Sequence, residues 1–204
     1  MPVKVKICGV CRVDDAVAAV RAGADFIGLN FHEGSPRYVG VARAAEIADA
    51  VPGTALVGVF VDAPRAHVEE VAARVGLTAL QFHGDEDAEY CRGWSWRVIK
   101  AVRVAPGADA GAAARRFAGA DYLLLDSFVA GQPGGTGVAL DPAAAAGLAP
   151  ERLFVAGGLR ADSVATVVRA LRPFAVDVAS GVEERPGRKD HAKVEEFIRR
   201  AKTA

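Results

Sequence analysis

The feature that most constrains the fold is a regular alternation of short apolar runs with amphipathic segments, repeated eight times along 204 residues. The apolar runs predict strands at residues 3–7, 25–30, 55–61, 78–82, 97–102, 122–126, 152–156 and 174–179. The amphipathic segments predict helices at residues 13–21, 41–50, 64–74, 85–92, 108–117, 141–147, 161–171 and 190–202. Short connections between the units favour parallel strands joined by right-handed crossovers.

The strand cores are continuously apolar, as in Tyr-Leu-Leu-Leu at 122–125, which is typical of strands covered on both faces. A doubly wound open sheet uses the same alternation, but eight units in about 200 residues match the lower end of a closed barrel. The stretch AGADFIGLN at 22–30 returns as AGADYLLLD at 118–126, as two half-barrels would give. The sequence therefore predicts an α/β protein, a single (β/α)8 TIM barrel, with one catalytic domain over residues 1–204.

The composition excludes several classes of partner. Lys plus Arg equals Asp plus Glu, 25 each, so no electrostatic footprint for nucleic acid or an anionic membrane is present. Apolar runs stay shorter than the roughly 18 residues of a membrane span, and the first residues show no signal-peptide pattern. Three cysteines do not make a disulfide framework. We expect a cytoplasmic protein without nucleic-acid or membrane partners, as a monomer or homodimer.

Polar side chains collect where the predicted strands end. In a barrel of this kind the active site lies at the C-terminal ends of the strands. Cys8 ends the first strand, Gln81 and His83 lie at the end of the fourth, and Asp126 ends the sixth, while Arg37 follows the second. Gln81 and His83 are predicted to line a substrate site, although the His83 imidazole could also be a base or a ligand. The Arg37 guanidinium could hold a substrate carboxylate bidentately or remain a solvated surface group.

Glycines after the last two strands suggest a bound phosphate. Gly157 and Gly158 follow strand seven, Ser180 and Gly181 follow strand eight, and the segment after Gly181 could start a short helix. Barrels often bind phosphate with the backbone amides of these two loops. Glycine also simply ends strands and permits positive φ, but both loops together favour phosphate.

The glycine-rich segment GQPGGTG at 131–137 follows strand six. Its length and composition suit a mobile lid, and a plain flexible loop remains the alternative. It lacks the lysine of a P-loop, so nucleotide binding is not expected.

The Cys-x-x-Cys spacing of Cys8 and Cys11 could indicate a redox dithiol, half a metal site, or one catalytic thiol. The four histidines show no metal-binding spacing and one cysteine pair cannot complete a zinc site, so no metal is expected. A redox pair belongs in a thioredoxin context, which the eightfold pattern does not match. Cys8 should face the site, Cys11 should be structural, and Cys91 should pack on the fourth helix.

Short motifs in chain order resemble those of the phosphoribosylanthranilate isomerase family. They are KICG at 6–9, SPRYV at 35–39, GVFV at 58–61, QFHG at 81–84, LLLDS at 123–127, GGTG at 134–137, AGGL at 156–159, DVASGVE at 177–183 and GRKD at 187–190. The matches run from residue 6 to residue 190, nearly the whole chain.

The resemblance implies a cofactor-free Amadori rearrangement in tryptophan biosynthesis. N-(5-phosphoribosyl)anthranilate, a small phosphosugar, would become 1-(2-carboxyphenylamino)-1-deoxyribulose 5-phosphate. By resemblance Cys8 is the general base, Asp126 the general acid, and Arg37 the partner of the anthranilate carboxylate. The loops at 157–158 and 180–181 would hold the phosphate. A thiolate base suits this chemistry if its pKa falls from about 8.5 towards neutrality.

Two alternatives remain at this point. The histidine-pathway ketol isomerase performs the same rearrangement on a similar barrel, but it uses an aspartate at the end of strand one, where this chain has Cys8. A non-catalytic sensor of a phosphate ligand would need no acid and base, so the presence of both Cys8 and Asp126 argues against it.

Overall fold

The computed structural model describes residues 2–104, 110–127, 145 and 148–204. Eight parallel strands form a closed barrel in chain order, and the eighth pairs with the first. These strands are β1 Lys4–Cys8, β2 Phe26–Asn30, β3 Ala55–Phe60, β4 Ala79–Phe82, β5 Arg97–Val104, β6 Tyr122–Ser127, β7 Leu153–Ala156 and β8 Ala175–Val178. The described helices are α1 Val13–Arg21, α2 Val41–Ala50, α3 Arg65–Val75, α4 Ala110–Arg116, α5 Val164–Leu171 and α6 His191–Lys202.

The closed barrel confirms the predicted fold class. Every predicted strand is present, with each end within two residues of its expected position. The two similar stretches at 22–30 and 118–126 include β2 and β6, which lie four strands apart in the ring of eight. They therefore occupy equivalent places in the two halves of the barrel.

Side chains alternate between the inside and the outside of the barrel along each strand. On β1, Val5 and Ile7 are fully buried in the apolar layer between strands and helices. A second apolar cluster, which includes Ile99, Leu124 and Phe154, fills the inside. Aromatic rings at the N-terminal end of the strands close that side, so the opposite end carries the open mouth.

The predicted helix at 85–92 is wrong. The segment between β4 and β5 forms turns. A carboxylate side chain in it accepts hydrogen bonds from backbone amides, which favours this local arrangement over a regular helix. The buried Glu86 carboxylate accepts hydrogen bonds from the amides of Asp62 and Gly84, both at 2.9 Å, and an ion pair from Lys100 at 2.8 Å. This pair ties the loop that begins at His83 to β5.

Other helices differ at their ends. The predicted helix at 108–117 appears as α4, and the one at 161–171 begins three residues later as α5. After β8 the chain makes a single 3-10 turn over Ser180–Val182, rather than a helix after Gly181. A hairpin of β9 Glu183–Arg185 and β10 Arg188–Lys189 follows. The predicted helix at 141–147 and the predicted lid at 131–137 lie outside the described residues, apart from Ala145.

Within the described residues, no helix has the length and apolar character needed to cross a lipid bilayer.

Candidate active site

One cavity of about 220 Å³ opens at the C-terminal ends of the strands. All nine residues that the sequence nominated for the site line it: Cys8, Arg37, Gln81, His83, Asp126, Gly157, Gly158, Ser180 and Gly181. Around the rim, the loop after β2 carries Arg37, β1 carries Cys8, and β6 carries Asp126, with the β7 and β8 loops between the last two. The fold therefore brings a thiol, a carboxylate, a guanidinium and two glycine loops to one space.

The Cys8 thiol is half-buried at the end of β1. A base at this position was expected to have a lowered pKa, and the structure gives the opposite direction. Burial raises the pKa of Cys8 above its ordinary value, and the charge of Asp177 raises it further. The charges of Lys6 and Lys189 oppose this shift without cancelling it. In the ligand-free protein the thiol form therefore predominates at neutral pH.

Asp126 lies beside an imidazole that is itself held in place. His83 Nε2 is 3.4 Å from Asp126 Oδ2, and the Gln81 side-chain amide is 3.0 Å from His83 Nδ1. With the Gln81 amide as donor, His83 Nδ1 accepts and Nε2 carries a proton towards Asp126. Gln81 is almost completely buried in the wall of the cavity, where its side-chain amide orients His83.

Arg37 is fixed by a buried carboxylate. Its Nε and Nη2 donate to Glu183 Oε1 and Oε2 at 2.9 and 2.7 Å, which is a bidentate pair. Lys189 Nζ bonds to Glu183 Oε1 at 2.9 Å and to the Cys8 carbonyl at 2.6 Å. Although burial opposes ionisation, hydrogen bonds from Arg37 and the charge of Lys189 lower the pKa of Glu183. Glu183 thus occupies the edge of Arg37 formed by Nε and Nη2, and among the described residues none bonds to Nη1, which leaves that end for a ligand carboxylate.

Replacing Glu183 by glutamine should raise the KM of a carboxylate-bearing substrate about tenfold, equivalent to roughly 1.4 kcal/mol, with kcat changed only a few-fold. The reason is that Arg37 loses the charged partner that fixes its orientation. Steady-state kinetics measure both parameters. Glu184→Gln is the matched control, because Glu184 lies on the same hairpin and is half exposed in a pair with Arg188. Equal KM values in the two variants would contradict a positioning role for Glu183.

The loops after β7 and β8 pack against each other through their backbones. Gly157 and Gly158 adopt φ of 89° and 60°, a region that strains other residues. A side chain on Gly181 would collide with the Leu159 carbonyl. These constraints by themselves account for glycine at the three positions. Within the described chain, the amides of Gly157, Gly158 and Gly181 donate no backbone hydrogen bond, which leaves donors for an anion.

The two remaining cysteines have different surroundings from Cys8. Cys11 precedes α1, and its thiol donates to the Arg37 carbonyl at 3.2 Å, while burial raises its pKa. Cys91 is buried in the turns between β4 and β5, where desolvation raises its pKa to about 11. Neither thiol lines the cavity.

Four charged residues of this region were missed by sequence reasoning: Lys6, Asp177, Glu183 and Lys189. Lys6 and Asp177 lie inside the barrel and form an ion pair of 2.9 Å. The sequence did indicate these two residues, because each is a charged residue within an apolar run that predicts a strand buried on both sides. Glu183 and Lys189 carried no such signal, since the contacts that join them to Arg37 and to the Cys8 carbonyl are distant in sequence.

Across the described ranges, no three histidine, cysteine, aspartate or glutamate side chains are grouped closely enough to hold a metal ion.

Comparison with known proteins decides the family. Residues 5–200 match the family model described as N-(5'-phosphoribosyl)anthranilate (PRA) isomerase. The chain belongs to this family. It is therefore an isomerase of tryptophan biosynthesis, as the motifs indicated.

Individual relatives agree with this assignment over their full length. The chain is 47% identical to N-(5'-phosphoribosyl)anthranilate isomerase of Pseudomonas putida strain GB-1, over 99% of this chain and 98% of that protein. The crystal structure of the Thermotoga maritima isomerase superposes with a TM-score of 0.89 at 36% identity, covering 99% of this chain and 100% of that one. A second isomerase structure, in complex with reduced 1-(o-carboxyphenylamino)-1-deoxyribulose 5-phosphate, gives a TM-score of 0.85 at 36% identity over 99% and 100% of the chains.

Proposed function

We propose that this protein converts N-(5-phosphoribosyl)anthranilate into 1-(2-carboxyphenylamino)-1-deoxyribulose 5-phosphate by an Amadori rearrangement. The observation that carries the proposal is the placement of Cys8 and Asp126 in one cavity, on strands three places apart in the ring. A thiol and a carboxyl group on separate walls can act on a sugar held between them. The rearrangement needs one proton donor and one proton acceptor, and no redox chemistry.

In the first step Asp126 donates a proton to the furanose ring oxygen. The bond between C1′ and that oxygen breaks, and the nitrogen lone pair forms an iminium with C1′. The Asp126 carboxylate that remains lies near His83 Nε2, 3.4 Å away, which can help to balance its charge. Among the described residues the contact of Asp126 is made by Oδ2 with His83, so Oδ1 is the atom that would face the ring oxygen.

In the second step the Cys8 thiolate removes the proton from C2′. The C–H electron pair forms the C1′–C2′ double bond, and the iminium π electrons return to nitrogen, which gives an enolamine. Tautomerisation then moves a proton from the C2′ hydroxyl to C1′ and produces the ketone. The iminium is a cation beside a thiol whose pKa is raised in the free protein, so ring opening itself favours the thiolate.

Both ends of the substrate have a suitable partner on the rim. The phosphate would accept hydrogen bonds from the amides of Gly157, Gly158 and Gly181. The anthranilate carboxylate would bind the Nη1 end of Arg37 on the far side of Cys8. The ligand of the similar solved structure contains both groups, a carboxyphenyl and a 5-phosphate, which supports this assignment. A cytoplasmic location and a monomeric or homodimeric state remain predictions.

Genetic complementation tests the function. Expression of this chain in a bacterium that lacks the isomerase should restore growth without tryptophan. The Cys8→Ala/Asp126→Asn double variant, expressed at the same level, is the matched control and should fail. No growth with the soluble wild-type chain would contradict the proposal, as would equal growth with the double variant.

Replacing Gly158 by valine should raise KM at least tenfold, because the side chain would strain the loop at φ 60° and displace the amides that bind phosphate. Inorganic phosphate should compete with the substrate in the wild-type protein. Gly53→Val is the control, since Gly53 also has a positive φ of 78° but lies outside the cavity. A normal KM in the Gly158 variant, together with no inhibition by phosphate, would rule out this phosphate site.

A further inference from the structure

We propose that Lys6 is the buried cation that stabilises the thiolate form of Cys8, with Asp177 as the hydrogen-bond acceptor that holds the Lys6 ammonium in place. This inference rests on the proposed function, in which Cys8 is the base. Lys6 does not face the open cavity, so it acts through Cys8 as a positioning residue. The three side chains lie next to one another inside the barrel, on β1 and β8. We call them the Lys6–Asp177–Cys8 network.

The geometry of β1 brings the amine and the thiol to the same side. Lys6 and Cys8 are two residues apart, so both side chains point inside the barrel. The Lys6 side chain is completely buried, and its Nζ donates to Asp177 Oδ1 at 2.9 Å. Lys6 and Asp177 are also direct neighbours in the pairing of β1 with β8. An ammonium has three N–H donors, so two remain after the bond to Asp177.

Gly28 on β2 shows how close the two side chains lie. Gly28 is paired with Cys8 in the sheet. A Cβ atom on Gly28 would lie 2.8 Å from Cys8 Sγ and 3.2 Å from Lys6 Cε. Both side chains therefore pack against the Gly28 backbone, in space that a side chain at position 28 would occupy. The thiol and the end of the lysine share this space.

The energetics argue that the ion pair has a purpose other than stability. Moving two charges from water into a barrel interior carries a large desolvation cost before their attraction offsets it, and apolar residues of similar volume often stabilise a core equally well. Other inward positions of the barrel are filled by apolar side chains such as Ile99, Leu124 and Phe154. A lysine two residues before Cys8 and a carboxylate in register with that lysine are therefore unexpected in a merely structural core.

The charges that face Cys8 come from several elements. Burial by itself would lower the pKa of Lys6, but the charges of Asp177 and Cys8 and the hydrogen bonds to both side chains raise it overall. Lys189, from β10, also faces the thiol, although Glu183 is its ion-pair partner. Arg37, from the loop after β2, shares that same carboxylate. Asp126 and His83 lie on the other walls of the cavity. Lys6 differs from Lys189 and Arg37 in its partner. The Asp177 carboxylate, which accepts from Lys6, also raises the pKa of Cys8 by its own charge.

The test measures the pKa of Cys8 without substrate. In a Cys11→Ser/Cys91→Ala background, Cys8 is the one remaining thiol, and its rate of alkylation by iodoacetamide against pH reports the thiolate fraction. Lys6→Met should raise the pKa of Cys8 by about one unit or more, because a nearby cation is lost. Asp177→Asn should lower it, because a nearby anion is lost. A structural ion pair would give no such opposite shifts.

A double variant keeps the test decisive if Lys6→Met alone does not fold. Lys6→Met/Asp177→Asn removes both charges and leaves no unpaired buried ion. Its Cys8 pKa should lie above that of Asp177→Asn alone, by the contribution of Lys6. Unchanged pKa values, or shifts in the same direction for the two single substitutions, would overturn the inference.

Activity then separates this inference from the proposed function. In the variants that fold, the pH at which kcat/KM rises should move in the same direction as the pKa of Cys8. If the alkylation pKa shifts as expected but the rearrangement proceeds without Cys8, the network is correct and the role of Cys8 as the base is wrong. If Cys8 is essential but its pKa is the same with and without Lys6, the assignment of Cys8 as the base is correct and the network is wrong.

Discussion

Replacing Asp126 by asparagine is expected to lower kcat by at least about 100-fold, because general acid catalysis typically contributes 10²–10⁴-fold. Asparagine keeps the shape of the side chain and can still contact His83 Nε2, but it has no carboxyl proton for the ring oxygen. Steady-state kinetics on the purified variant measure the effect. KM should change much less than kcat, because Asp126 is assigned a step in the chemistry and not the binding of phosphate or carboxylate.

Asp121→Asn is a matched control for this substitution. Asp121 lies just before β6, at the opposite end of the strand from the cavity, and forms an ion pair with Arg97 at 2.6 Å. Its loss should leave kcat within a few-fold of the wild-type value. A folded Asp126→Asn protein with near wild-type kcat would show that another group delivers the proton.

Replacing Cys8 by serine should abolish most of the activity, with a loss of at least about 100-fold in kcat. A serine hydroxyl fills nearly the same space but is a far weaker base than a thiolate at neutral pH. The raised pKa of Cys8 does not remove this difference, because a hydroxyl ionises at much higher pH still. The measurement is kcat in the same buffer for the wild type and the variant, with melting temperature as the check on folding.

Cys11→Ser is the internal control for the same experiment and should keep kcat within a few-fold. The Cys11 thiol donates to the Arg37 carbonyl at 3.2 Å, and a serine hydroxyl can donate to that carbonyl as well. Turnover should also need no reductant. If the folded Cys11→Ser protein lost as much activity as Cys8→Ser, the dithiol interpretation of the Cys-x-x-Cys spacing would return.

Much of the fold could be predicted because its main determinants are local. Eight apolar runs separated by amphipathic segments specify strand order once parallel pairing and right-handed crossovers are required. The same rule places the strand ends on one rim, so Cys8, Asp126 and the two glycine loops could be assigned to one site. His83 and Gln81 followed for the same reason, from the end of β4.

What could not be predicted depends on contacts between distant residues. Glu183 holds Arg37 across 146 positions of sequence, and Lys6 meets Asp177 across 171. The segment at 85–92 has helical composition, but the Glu86 carboxylate bonds to backbone amides and to Lys100 instead. The shift of the Cys8 pKa also follows from the barrel interior, which sequence motifs do not describe.

The most direct test of the proposed reaction uses the purified wild-type protein and phosphoribosylanthranilate generated enzymatically in the same vessel. The fluorescence of this substrate is followed over time, and the product is identified by mass and by its ketone. We predict a catalytic loss of substrate fluorescence, without added metal or cofactor, that yields 1-(2-carboxyphenylamino)-1-deoxyribulose 5-phosphate. Substrate fluorescence that decays no faster than in a protein-free control, with the protein folded, would contradict the account.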